Sequence, residues 1–151
     1  MPRAYAIEGS QNIASPADTV LGLTAATTVK PGINYLTAGL DASASPVDIS
    51  LNLTVQRYTA AGTATSVTPR VLDTGNVAAV ATAGENHTVE PTYTSNAELL
   101  VASFNSRNTY QWYAYPGYEL FAAAAATNGL GLFLSHGTDT SLHTATIHFI
   151  E

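Results

Sequence analysis

The stretch VDISLNLTVQRYT, residues 47–59, sets Val47, Ile49, Leu51, Leu53 and Val55 in alternation with Asp48, Ser50, Asn52, Thr54 and Gln56. Successive side chains on a β-strand point to opposite faces, so this spacing predicts a half-buried strand with its aliphatic face inward. A helix, turning once every 3.6 residues, would scatter the same five side chains around its circumference. The segment therefore predicts β structure.

Working outward, strand-like runs recur at short intervals, separated by turn residues. AYAIEG near the start alternates weakly. DTVLGLTAATTV, residues 18–29, is rich in Thr and Val and stops at Lys30-Pro31-Gly32. INYLTAGL follows and ends at the polar loop DASASP. Beyond the opening strand, AAGTATS reads as a loop of small residues. VTPRVLD then enters DTGN, where Gly75 suits a tight turn. HTVEPTYT, AELLVASF, TYQWYAY, LGLFLS and LHTATIHFIE complete the series. Pro69 and Pro91 lie within such runs and lack the ladder N–H, which predicts edge strands or strand starts. Only NVAAVATAG and ELFAAAAAT carry any helical signal, a turn or two at most. The expectation is all-β: a jelly-roll-like sandwich or barrel of about 8–10 short antiparallel strands with minimal helix. One domain, residues 1–151, accounts for the length, with an extended N-terminal arm at about residues 1–15.

Composition narrows the partners. The net charge is −6 and the chain has only five Lys and Arg, scattered singly. A nucleic-acid interface needs clustered cations to displace counterions, and a polybasic membrane patch needs the same, so neither partner is expected. Cysteine is absent, which excludes disulfides, thiolate metal sites and cysteine nucleophiles. MPRAYAIEGS lacks the charged-then-apolar order of a secretory signal, so synthesis without export is expected. The most apolar run, residues 120–134, is interrupted by Asn128, Gly129 and Gly131 and falls short of the roughly 20 apolar residues of a spanning helix.

Candidate chemistry is sparse. His136, His143 and His148, with Asp139, suggest a metal site, since imidazole and carboxylate suit zinc. Parity opposes it: His143 and His148 are an odd number of residues apart and would face opposite sides of one strand. Ser135, His136 and Asp139 have triad chemistry but lie on one loop, and no Gly-x-Ser-x-Gly elbow presents a nucleophile. Glu85, Glu90 and Glu98 could supply a carboxylate pair, yet nothing in their spacing selects two of them. NLT at 52–54 and NHT at 86–88 match glycosylation acceptors, of little weight without a signal sequence. No enzyme, metal or cofactor is expected.

Six of the chain's 13 aromatic residues fall in RNTYQWYAYPGYELF, residues 107–121. On a strand, Tyr110 and Trp112 share one face and Tyr113 and Tyr115 the other, and Pro116-Gly117 turns the chain before Tyr118. The Trp112 face is expected to be core. The other face is expected to be exposed, where Tyr gives contact area at low entropic cost.

The second half resembles a group of small phage proteins encoded among virion structural genes. The likeness rests on Val67, Thr68, Pro69, Asp73, Gly75 and Ala78, on Phe104, Asn105, Gln111, Trp112 and Pro116, and on Gly129, Gly131 and the terminal Glu151. It covers roughly the last 85 residues, and the first 60 follow only in strand pattern. The Ala-rich AAAAAT segment and Tyr115-Pro116-Gly117 depart from the family pattern. The resemblance implies a jelly-roll-like fold and a place on the outer surface of the capsid, as a decoration or cement protein made in the host cytoplasm. The implied partners are the major capsid protein and further copies of the chain, with a trimer the expected oligomer. Arg3, Tyr5 and Ile7 of the arm, with Tyr113, Tyr115 and Tyr118, are the expected contacts. The alternative is a carbohydrate- or host-binding module of a tail or fibre, with the same three tyrosines as a stacking platform.

Overall fold

The computed structural model describes residues 2–13, 17–41, 48–135 and 141–151. Among them are twelve strands and no helix: β1 (Ala4–Asn12), β2 (Ala17–Thr24), β3 (Gly32–Leu40), β4 (Ser50–Ala60), β5 (Thr63–Val67), β6 (Arg70–Val71), β7 (Thr82–Val89), β8 (Thr92–Asn105), β9 (Tyr110–Tyr113), β10 (Leu120–Phe121), β11 (Gly129–Ser135) and β12 (Leu142–Ile150). The excess over the expected 8–10 comes from β6 and β10, pieces of two residues each. The strands form two antiparallel sheets. In the first, β6, β1, β12 and β3 lie in that order, and β9 and β10 share the far edge of β3. The second runs β5-β7-β2-β11-β4-β8.

The core lies between the sheets and is built by alternation. Leu51, Leu53 and Val55 of the opening stretch are fully buried, and Leu53 and Val55 stand beside Leu134 and Leu132 of β11. From the first sheet come Tyr5 and Ile7 of β1, Ile33 and Leu36 of β3, and Ile147 and Phe149 of β12. Each such aliphatic side chain contributes roughly 1.5–3 kcal/mol by leaving water. Asp48 and Ser50 are exposed as predicted, but Thr54 and Gln56, expected on the solvent face, are buried. Val47 falls outside the described residues.

The segment expected to form an N-terminal arm is instead a strand over Ala4–Asn12. Residues 4–12 form β1, which pairs along its length with β12 and, at Tyr5 and Ala6, with β6. Tyr5 stacks on Phe149 at 5.3 Å inside the core. Alternation in YAI was weak in sequence because residues 9 and 10 are Gly and Ser. The prolines fall where their missing N–H requires: Pro69 between the edge strands β5 and β6, and Pro91 between β7 and β8. Neither Ala-rich segment is helical.

Candidate functional site

Register on the outer face of the first sheet lines up three rings. Tyr113 of β9 pairs with Tyr35 of β3, and Tyr35 pairs with His148 of β12. Side chains at paired positions point the same way, so the rings stand abreast. The centroids are 4.7 Å apart for Tyr113–Tyr35 and 4.8 Å for Tyr35–His148, which is the spacing of neighbouring strands. Partial burial, then the neighbouring Tyr113, raises the Tyr35 phenol above its ordinary value, and burial lowers the His148 imidazole.

Beside this ladder the edge strand is interrupted. β9 pairs with β3 as far as Tyr35 and β10 resumes at Ile33, so six residues, 114–119, loop out where β3 spends only Asn34. Asn34 holds the base of the loop: its carbonyl accepts the Ala114 N–H at 2.9 Å. At the tip, the Tyr118 N–H donates to the Tyr115 carbonyl at 2.9 Å, with Pro116 second and Gly117 third at φ +89°. That is a type II turn, which requires a positive φ at its third residue and favours proline at its second. Glu119 accepts the Gly117 N–H at 2.9 Å and ties the turn down. Between loop and ladder lies a groove of about 550 Å³, lined by Asn34, Tyr35, Tyr113, Ala114, Pro116, Glu119 and His148.

The expected contact residues divide. Tyr113 and Tyr115, which parity put on the outer face, are 65% and 81% exposed, and Tyr118, beyond the turn, is 76% exposed. Tyr110 and Trp112 turn inward and pack against the core, though both stay partly accessible at the sheet edge. Arg3 is exposed, while its backbone exchanges hydrogen bonds with Glu151. Tyr5 and Ile7, expected as contacts, are buried in the core. Sequence reasoning missed Asn34, Tyr35 and Glu119, and weighed His148 only as a metal ligand. The signal available was the pair of aromatic residues on strands that the register brings together.

The other candidate chemistry dissolves into structure. His143 points into the core and His148 to the outer face, as parity required. His136 and Asp139 lie outside the described residues, and among the described residues no cluster of three or more His, Asp or Glu is placed to hold a metal. Glu85 accepts the Ser10 N–H at 2.7 Å, and Glu90 accepts the Thr19 N–H and hydroxyl. Residues that carry the phage-protein resemblance have structural work too. Asp73 accepts the Gly75 N–H at 3.0 Å and closes a turn. Gly129 and Gly131 lie beneath tyrosine rings. The Glu151 carboxylate accepts the N–H groups of Val80, at 3.1 Å, and Ala81, at 2.7 Å. Comparison with protein-family models and with curated proteins finds no match.

Proposed function

We propose that this chain is a structural protein of a bacteriophage virion, a decoration protein that binds the outside of the assembled head and reinforces it by bridging coat subunits. One observation supports the reading beyond the sequence resemblance. Of the nine exposed large apolar or tyrosine side chains among the described residues, four lie along the terminal rung of the first sheet, Leu72, Val77, Val80 and Phe121, and two more, Tyr115 and Tyr118, stand on the 114–119 loop that leads into Phe121. The last rung of that sheet runs Phe121–Gly32–Ile150–Ala4. Leu72 bonds to the Ala4 carbonyl, the Val77 carbonyl accepts the Tyr5 hydroxyl, and Val80 bonds to Glu151, so all three sit at this rung. Arg3 projects beside them. An apolar surface concentrated in this way marks a protein contact more than an enzyme cleft. The major capsid protein is the proposed partner, and a trimer the proposed assembly.

The test is addition of pure protein to expanded capsids of the encoding phage prepared without it. Saturable binding at fixed stoichiometry, with a rise in the temperature of capsid disruption, is the expected result. No binding at micromolar protein would overturn the reading.

A second reading, a carbohydrate-binding module of a tail or fibre, is favoured by the open groove with Tyr113 in its wall and Asn34 alongside.

A further inference from the structure

The groove beside the aromatic ladder has features that define a ligand class. Its floor is continuous: Tyr35 touches both Tyr113 and His148, so no ring gap is left for a cation to enter or a flat base to slide into. A cation cage needs separated rings around the charge; here the rings cover one another, and the open aromatic surface is that of Tyr113, 65% exposed at the end of the ladder. Polar groups border that face on one side. The Asn34 side-chain oxygen is buried and has no hydrogen-bond partner. Glu119 spends one carboxylate oxygen on the Gly117 N–H. Both residues line the groove, and acceptors there call for a ligand rich in hydroxyl donors. No Lys or Arg lines the groove, and the chain's charge is −6, so an anionic ligand would meet no counter-charge. Pro116 and Ala114 close the far side with small apolar surface.

We propose that this groove is a binding site for a neutral saccharide, with one sugar ring stacked on Tyr113 at the open end of the ladder and its hydroxyls donating to Asn34 and Glu119. The ligand has an apolar C–H face for the rings and edge hydroxyls for the acceptors, and sugars combine the two. The inference takes up the carbohydrate part of the second reading, and it holds equally for a protein mounted on a head.

The experiment is a titration of the intact chain with maltotriose, cellotriose and chitotriose as neutral probes and 3′-sialyllactose as the anionic control. The readout is the aromatic NMR resonances of Tyr35, Tyr113 and His148. At least one neutral trisaccharide should shift all three rings with a dissociation constant of about a millimolar or tighter. Tyr113→Ala should weaken that binding about tenfold or more, the loss of one stacking ring. Glu119→Gln, which keeps the side chain's shape, should weaken it less. Tyr115→Ala, outside the groove lining, should leave it unchanged. Three results would overturn the proposal: no shift with any neutral probe at about 10 mM, well above such a constant; a shift that survives Tyr113→Ala; or equal binding of the sialylated control. The capsid assay is read separately, so loss of the saccharide site leaves the decoration reading standing, and the reverse.

Discussion

Each sheet carries a tyrosine pair on its outer face, and the two pairs have opposite fates. Tyr35 and Tyr113 stand open on the first sheet at 4.7 Å. Tyr58 and Tyr93 on the second meet edge-on at 6.3 Å and are covered. The difference lies in what folds over them. β7 leaves its ladder with β2 after Glu85, where Asn86 adopts φ +49°. β8 bulges between Tyr93 and Glu98, around Asn96 at φ +55°. Asparagine is one of the few residues that tolerate this left-handed geometry, and bulges re-aim the strands that carry them. The bends bring His87 over Gly22 and Tyr93 over Gly131, while Tyr58 lies over Gly129, and a Cβ at either of the last two glycines would fall within 2.3 Å of a tyrosine ring or hydroxyl. Buried polar atoms then find partners. Tyr58 and Thr24 share a 2.6 Å hydrogen bond, and the Tyr93 hydroxyl donates at 2.6 Å to Thr19, whose own hydroxyl is given to Glu90. The His87 imidazole bonds the Thr19 carbonyl at 3.1 Å. The covered pair thus belongs to a second, polar core, and the open pair is free for recognition.

Substitutions sharpen this contrast. Tyr58→Ala should cost about 3–5 kcal/mol in urea unfolding, as for other large buried aromatics, whereas Tyr113→Ala should stay within about 0.5 kcal/mol. Equal costs would break the distinction. Glu90→Gln removes the charge from the bonds to Thr19 and should cost about 1.5–3 kcal/mol. Gly131→Ala should cost about 1–3 kcal/mol, because the Tyr93 ring must move.

The pH dependence follows from the same core. Burial, against the opposing Thr24 bond, pushes the Tyr58 phenol from 10.0 up to about 12. The folded chain holds that proton more tightly than the unfolded one. The stability this gives is complete below pH 10 and is lost as pH rises from 10 through 12. Tyr93 is raised in the same direction, by burial first. His87 is lowered from 6.5, again by burial first, so its contribution is present above pH 6.5 and is lost as pH falls below that value. Unfolding curves between pH 5 and 12, compared with Tyr58→Phe, check both limbs: the variant should lose part of the alkaline slope and keep the acid one. The smallest effect belongs to the exposed Arg70–Glu8 ion pair at 2.8 Å. Arg70→Ala should change stability by about 0–1 kcal/mol.

The inter-sheet core was readable in sequence because period two is local: Leu51, Leu53 and Val55 declare their face without knowledge of any other strand. The exposed tyrosines were readable for the same reason, and Pro116-Gly117 announced its turn. Tyr5 and Ile7 were misplaced because two inward residues before Gly9 and Ser10 make too short a pattern to distinguish a strand from an arm. The second core was invisible. Thr54 and Gln56 have the composition of a solvent face, and what buries them depends on bends at Asn86 and Asn96. The groove was half visible. Tyr113 stood in the aromatic run, but Tyr35 and His148 join it only through register across three strands, a long-range property that no local window contains.

The proposed docking surface is the apolar end of the first sheet together with the 114–119 loop that carries Tyr115 and Tyr118. Cosedimentation of the double variant Tyr115→Ala/Tyr118→Ala with expanded capsids tests it most directly, with its unfolding midpoint measured alongside. An unchanged midpoint and an affinity reduced about tenfold or more are expected, as when central aromatic contacts are removed. Wild-type affinity in that variant would contradict it.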